Sequence, residues 1–297
     1  MNRRDAGARI FPVLRFENFV IAAFIVLAAV ASWKIQLRNV QAAEASPRGN
    51  HPGRRVYDLN CAVCHGGQGD GKGPAASMFL TRPRDFRLGV FKFRSTPSGS
   101  LPADQDLFQT VTHGLRWTAM IGRPDLSESD RIAVVDYIKT FSPRFATVKP
   151  APSISVPPQP GRTSALVIQG KELFHDAGCV SCHGEQGRGD GSSAPEMKDD
   201  WGWPIRPGNL TWRPLKRGSA LDQTYLTIVT GLSGTPMPAY SDSLSSNQVW
   251  SIVYYLESLV PAERWLSPGR FLGEEQQGRM ALHMGGMMGP GTRRFRE

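Results

Sequence analysis

Two stretches of the sequence repeat one pattern: CAVCHGGQGDGKG from Cys61 to Gly73, and CVSCHGEQGRGDG from Cys179 to Gly191. Each has two cysteines separated by two residues, a histidine directly after the second cysteine, and then a glycine-rich run. The chain of 297 residues contains only 4 cysteines, and all of them lie in these two stretches. The cysteines therefore serve one chemistry that the chain carries twice.

Three chemistries use a Cys-x-x-Cys pair: a zinc site, a dithiol–disulfide couple and covalent haem attachment. On a helical turn the two cysteines and the following histidine share one face, so two sulfurs can bond a porphyrin edge while the imidazole lies beneath its iron. A zinc ribbon would place its pairs about 15–20 residues apart, whereas 114 residues separate Cys64 from Cys179. A thioredoxin-like couple needs no histidine at this place. The pattern predicts two covalently attached haem c groups, bound through Cys61 and Cys64 and through Cys179 and Cys182.

The iron ligands follow from the same pattern. His65 and His183 are the predicted proximal ligands, and a methionine follows each of them by about 55 residues, at Met120 and Met237. Met237 lies in GTPMPAY, where the flanking prolines stiffen the loop, whereas Met120 is followed by Ile-Gly. His113 is the competing ligand for the first haem. The predicted metal ligands are His65, Met120, His183 and Met237.

Other residues of the two units are candidates for supporting roles. Met78 and Met197 follow their histidines by only 13 and 14 residues, too few to reach the opposite haem face. A ligating imidazole normally donates its other N–H to a carbonyl or carboxylate, and the carbonyls of Pro74 and Pro195 are the candidate acceptors. Arginine pairs well with carboxylates, so candidates for contact with haem propionates, each with a surface or core role as the alternative, are Arg84, Arg94, Trp117, Trp212 and Arg213.

The whole surrounding unit is duplicated. At offsets of 117 or 118 residues, matching positions include Gly53 and Gly170, Tyr57 and Phe174, Gly114 and Gly231, and Tyr137 and Tyr255. Each unit is predicted to close with a helix that begins at a capping box, at Ser127 in the first unit and at Ser245 in the second, with apolar residues following at helical spacing. Ser142-Pro143 and Pro261 are predicted to stop these helices.

The remaining segments set the domain boundaries. The uncharged run FVIAAFIVLAAVASW, from Phe19 to Trp33, is short for a membrane span, which needs about 20 residues; a cleaved signal peptide is the alternative to an uncleaved anchor. Arginines before this run predict a cytoplasmic N-terminus. A stretch with six prolines, Ser142 to Gly161, predicts an extended spacer. The predicted organisation is a membrane anchor and juxtamembrane segment in residues 1–49, haem domains in 50–148 and 162–265, a proline-rich linker in 149–161 and a Gly/Met-rich tail in 266–297.

The chain resembles two fused class I cytochrome c domains behind a membrane anchor, similar to membrane-bound dihaem cytochromes of bacterial respiratory chains. The resemblance rests on Cys61, Cys64, His65 and Met120 and on Cys179, Cys182, His183 and Met237. It implies a mostly α fold, an N-terminal transmembrane helix followed by two tandem helical haem domains, and location at the bacterial inner membrane with the haem domains in the periplasm. Methionine opposite histidine fills both axial positions and raises the reduction potential.

The predicted function is electron transfer with a redox partner protein or a respiratory membrane complex, as a carrier or as a subunit, and not as an enzyme. The alternative is a dihaem enzyme, a peroxidase or a sulfur-compound dehydrogenase, with one open or labile haem site. No small-molecule substrate is expected. The net charge of +9 comes without a basic face interleaved with aromatic residues, so nucleic acid is not a predicted partner.

Overall fold

The computed structural model describes residues 26–32, 34 and 49–261, and the regular structure in these ranges is helical. Within them the only β-type pairing is three isolated bridges and no strand occurs. The mostly α class predicted from the sequence is confirmed for this part of the chain. By its internal contacts the chain divides into two units, residues 1–51 and 52–297, so both predicted haem domains fall within one unit.

Two predicted segments lie largely or wholly outside the described residues. Most of the apolar run from Phe19 to Trp33 is one, and the tail 266–297 is the other. A search of the described helices finds none with the length and hydropathy needed to cross a membrane.

The first helical module begins directly after residue 52. Its helices are short, and the cysteine motif forms a single turn between the first long helix and a series of glycine-rich loops. The helices are α1 (Gly53–Asn60), α2 (Ala62–His65), α3 (Asp104–His113), α4 (Glu128–Lys139) and α5 (Arg144–Thr147), with 3₁₀ turns at Ala76–Met78 and Phe86–Leu88.

The second module repeats this order. Its two longest helices pack on each other more extensively than any other pair in the described chain. The helices are α6 (Ser164–Asp176), α7 (Val180–His183), α8 (Leu221–Thr230) and α9 (Ser246–Ser258), with a 3₁₀ turn at Ala194–Glu196.

Both closing helices begin where the capping residues predict. The Ser127 hydroxyl accepts from the Asp130 N–H at the start of α4. Ser245 and Gln248 form a reciprocal capping box at the start of α9. Side-chain acceptors at this position satisfy backbone N–H groups that the helix itself leaves without a partner.

Glycine lets the first helix and the closing helix of each module, α1 with α4 and α6 with α9, cross at backbone contact. A Cβ on Gly53 would lie 2.0 Å from the Ala133 carbonyl oxygen, and a Cβ on Gly170 would lie 1.9 Å from that of Ser251. No side chain fits at either crossing. The repeated glycine thus fixes how closely α1 approaches α4 and how closely α6 approaches α9, and each crossing lies beside a cysteine motif.

The two modules are joined through buried charged groups. Arg94 is fully buried and its Nη2 donates to the Thr230 carbonyl across the interface at 2.7 Å. Arg217 donates to the Arg94 carbonyl at 3.0 Å and to the Asp106 carboxylate at 3.1 Å. Buried polar groups of this kind are stable only when they are paired, so these bonds require one arrangement of the modules.

The proline-rich segment lies against both modules. It has no helix, as predicted, but the Ile154 N–H donates to the Ser95 carbonyl of the first module at 2.8 Å. Ile154 and Val156 pack against the hydrophobic core of the second module. The predicted extended spacer thus contacts both modules and links them.

Candidate haem-binding sites

Each cysteine motif folds as the helical turn that the spacing predicts. The His65 N–H donates to the Cys61 carbonyl at 2.9 Å, and the His183 N–H donates to that of Cys179 at the same distance. All four thiols are partly exposed and none is in a disulfide. In both modules the two thiols and the imidazole therefore project from one turn, which is the geometry that attachment to a porphyrin edge requires.

Both histidines are held by a backbone carbonyl. Nδ1 of His65 donates to the Arg84 carbonyl at 3.1 Å, and Nδ1 of His183 donates to the Gly208 carbonyl at 3.1 Å. Burial lowers the pKa of His65 to about 4 and also lowers the pKa of His183. Both rings are therefore neutral near pH 7, and Nε2 keeps the lone pair that iron coordination needs.

The acceptors predicted from the sequence, Pro74 and Pro195, are wrong. The true acceptors lie 19 and 25 residues after their histidines, in two short segments of like sequence. These segments are Pro83-Arg84-Asp85-Phe86 and Pro207-Gly208-Asn209-Leu210. They are 124 residues apart, whereas the histidines are 118 apart, so the second module has six extra residues before this segment.

This segment is fastened to the cysteine motif in the same way in both modules. The Phe86 N–H donates to the Gly69 carbonyl at 2.7 Å, and the Leu210 N–H donates to the Gly187 carbonyl at 2.6 Å. In the first module the Phe86 ring also stacks on the His65 imidazole, with 4.4 Å between centroids. The motif Pro-x-[Asp/Asn]-[Phe/Leu] is the sequence signal that would have identified the acceptor.

The two methionine loops have the same hydrogen bonds despite different sequences. The Leu115 N–H donates to the Met120 carbonyl at 2.8 Å, and the Leu232 N–H donates to the Met237 carbonyl at 3.1 Å. In each loop a threonine hydroxyl, of Thr118 or its counterpart in the second module, donates to the leucine carbonyl and accepts the methionine N–H. The loss of the prolines around Met120 therefore leaves the loop conformation intact.

One cavity of the second module contains every predicted ligand of the second haem. Cys179, Cys182, His183 and Met237 all line it. Its other walls come from the loops between α7 and α8, from α8, α9 and the methionine loop, and from three residues of the first module, and the surface they form is mainly apolar. This set of side chains fits haem c, which is planar and largely apolar. Two thiols that can bond its edge, and an imidazole and a thioether that can bind its iron, all face one space.

The other sulfur and imidazole candidates differ in their surroundings. Met197 lines the same cavity as Met237, so the second site contains two thioethers, one more than the sequence predicted. Met78 is 60% exposed, and His113 ends α3 with an exposed side chain.

Most of the predicted propionate partners have protein partners instead. Arg213 forms an ion pair with Glu257 at 2.6 Å and donates to three backbone carbonyls. Arg94 donates to two carbonyls of its own module and to the Thr230 carbonyl of the second module. Nε1 of Trp117 donates to the Pro214 carbonyl, and its ring contacts Trp212 at 4.9 Å between centroids. The Arg84 guanidinium lies 4.2 Å from the ring centroid of a tryptophan in the second module.

Two stretches of the chain match known protein families. Residues 167–260 match the cytochrome c family, and residues 49–138 match the family of subunit III of the cbb3-type cytochrome c oxidase. Subunit CcoP of the cbb3-type oxidase of Azospirillum brasilense is 25% identical over 220 residues, which are 70% of this chain and 61% of that protein. Subunit FixP of Azorhizobium caulinodans is 26% identical over 215 residues, 70% of this chain and 58% of that protein.

A solved structure extends this similarity. A chain of the reducing HAO-like protein complex of Kuenenia stuttgartiensis is 40% identical, with a TM-score of 0.69, and the match covers 73% of this chain and 97% of that one. The chain therefore belongs to the c-type cytochromes, with two cytochrome c domains in tandem, and is similar to cytochrome c subunits of bacterial respiratory complexes. It spans about three fifths of the length of the curated relatives named above.

Proposed function

We propose that this protein is a dihaem electron-transfer cytochrome that carries single electrons between respiratory partners. The observation that carries the proposal is the cavity wall on which Cys179, Cys182, His183 and Met237 meet. The first module repeats the same cysteine turn, histidine anchor and methionine loop. Haem c, when bound, supplies an iron that changes its charge by one electron.

The residues of the chain perform separate tasks in this proposal. Cys61 and Cys64, and Cys179 and Cys182, hold the haem edge through thioether bonds. The carbonyls of Arg84 and Gly208 hold the imidazoles of the proximal ligands, His65 and His183, in one tautomer and one orientation.

Met120 and Met237 would supply the second iron ligand at the first and the second site. The two methionine loops share their hydrogen bonds, and this supports a first site that resembles the second and is not open. A site with both axial positions filled has no coordination place for peroxide or a substrate, and this supports electron transfer over the dihaem enzyme.

The partner is proposed from the relatives. CcoP and FixP are subunits of a cbb3-type cytochrome c oxidase, so we propose that this chain exchanges electrons with a respiratory membrane complex. The apolar run that begins at Phe19 would anchor it in the bacterial inner membrane with the haem domains in the periplasm.

Haem content and ligand binding test the proposal. The full chain, purified from its own membrane, should contain two covalently bound haems per polypeptide, as measured by the pyridine haemochrome assay after denaturation. The fully reduced protein should not bind carbon monoxide. One haem per chain, or rapid carbon monoxide binding at either haem, would contradict the proposal.

The methionine assignment has a matched pair of variants within one cavity. Met237→Leu should abolish the thioether-to-iron charge-transfer band of the second ferric haem and open that haem to carbon monoxide. Met197→Leu, at the other thioether of the cavity, should leave both properties unchanged. The reverse result would assign the ligand to Met197.

A further inference from the structure

The cavity of the second haem is partly walled by the first module. Lys92 and Phe93, both from the first module, line it together with the second-module residues. Lys92 lies between Phe91, in the hydrophobic core of the first module, and Phe93, which is 8% exposed. The ammonium group is therefore carried on a segment that buried aromatic rings fix on both sides.

The charges along this cavity are all of one sign. Its lining contains four basic side chains and no carboxylate. The basic residues are Lys92, Arg206, Lys216 and Arg217. A partly enclosed space with this lining attracts an anion, because bringing cations together away from water is costly unless an opposite charge accompanies them.

The four basic residues differ in what already balances them. Arg217 is paired with Asp106, and Arg206 has an exposed side chain. Lys92 has no hydrogen bond or ion pair with any residue that the structure describes. Burial is the main cause that lowers the pKa of Lys92 to about 7, Lys216 and Arg84 lower it further, and Asp199 alone opposes them.

We propose that Lys92, supplied by the first module, pairs with a propionate of the haem held in the second module. This inference rests on the proposed function, since it requires haem c at Cys179 and Cys182. A haem attached at Cys179 and Cys182 would bring its propionates to this cavity, and a propionate is the anion that the basic lining would pair with. The first module thus completes the binding site of the second haem.

The pairing has a consequence for electron affinity. A cation beside the propionates stabilises the reduced haem, whose iron carries one positive charge less than the oxidised form. Lys92 therefore raises the reduction potential of the second haem, whose cavity it lines, more than that of the first haem. The two haems of one duplicated unit acquire different potentials through a residue outside the repeated ligand set.

Redox titration of the full chain with both haems bound tests this proposal. In a Met120→His background the first haem titrates at a lower potential, since a second imidazole replaces the thioether, and the two steps separate. Adding Lys92→Gln should decrease the reduction equilibrium constant of the second haem by roughly threefold to tenfold. Lys92→Arg should restore it, and the exposed control Lys171→Gln should leave it unchanged.

Each outcome decides the inference. Loss of only the second haem in Lys92→Gln, with retention in Lys92→Arg, would also support the pairing because it shows a need for the charge. The inference is overturned if Lys92→Gln leaves the potential of the second haem unchanged or shifts the potentials of both haems equally. It is also overturned if Lys92→Gln and Lys92→Arg show the same defect. If the parent protein contains two haems and Lys92→Gln leaves the potential of the second haem unchanged, only this pairing is refuted. If the parent protein contains one haem, the proposed function is refuted.

Discussion

Asp106→Asn is expected to destabilise the junction between the two modules. The Asp106 carboxylate is 5% exposed and lies 3.1 Å from Nη2 of Arg217, whose side chain is 14% exposed. Its other oxygen accepts from the Ser95 N–H at 2.8 Å and from the Ala103 N–H at 3.0 Å. An asparagine amide keeps one acceptor oxygen, so its NH₂ group must face either the guanidinium or the two backbone donors.

The expected magnitude follows from that arrangement. Removing one member of a buried ion pair costs about 3–5 kcal/mol, because the remaining charge stays buried without compensation. At about 2–4 °C per kcal/mol for a protein of this size, the unfolding temperature should fall by about 6–20 °C. Thermal unfolding of the full chain with haem bound, followed by circular dichroism, measures the change.

Asp104→Asn is the matched control. Asp104 lies on the same helix, carries the same charge and forms an ion pair with Lys139 at 2.9 Å, but its side chain is 66% exposed. Exposed pairs contribute about 0–1 kcal/mol, so this variant should unfold within about 4 °C of the parent protein. Equal unfolding temperatures for the two variants would refute the conclusion that buried charges hold the modules together.

Two further substitutions test the packing around the cysteine motifs. Gly170→Ala should cost about 1–3 kcal/mol by urea unfolding, since its Cβ would lie 1.9 Å from the Ser251 carbonyl oxygen; Gly161→Ala, with no atom within 4 Å of its Cβ, is the control, and equal stability would contradict the close crossing. Tyr57→Phe removes the buried hydroxyl that donates to the Gly66 carbonyl at 2.7 Å. It should cost about 0.5–1.5 kcal/mol by the same measurement, and an unchanged stability would show that water replaces the hydroxyl.

The repeated features of this chain could be predicted from its sequence because each has a local cause. The cysteine turns follow from helical spacing, and the starts of α4 and α9 follow from the capping side chains of Ser127 and Ser245. Duplication then doubled each signal, so a feature recognised in one half could be checked in the other. This is why the methionine at position 120 could be singled out although its neighbours differ from those of Met237.

The acceptor carbonyls of the histidines could not be found in this way. A search at a fixed offset of 117 or 118 residues compares Arg84 with Trp201 or Gly202, whereas its structural counterpart is Gly208. Six extra residues before that segment shift the register. A carbonyl acceptor also carries no side-chain signature, so only the surrounding Pro-x-[Asp/Asn] pattern marks it.

The junction between the modules could not be predicted for a different reason. It depends on residues that the two halves do not share: Asp106, which pairs across the interface, corresponds at an offset of 117 to Gln223, which lines the haem cavity of the second module. A comparison of the two halves identifies only the positions at which they are alike, so it cannot identify residues of this kind. Buried charged residues also break the apolar periodicity by which a core is recognised.

Differences between the halves therefore have a functional meaning under the proposed function. The groups that hold each haem are alike in both modules, and alike sites would have similar potentials. The groups that join the modules are unlike, and the first module contributes Lys92 to the lining of the second cavity. Fixed docking through Arg94 and Arg217 also keeps the distance between the haems constant. An electron thus meets two centres of unequal affinity at one separation, which is the condition for transfer in a preferred direction.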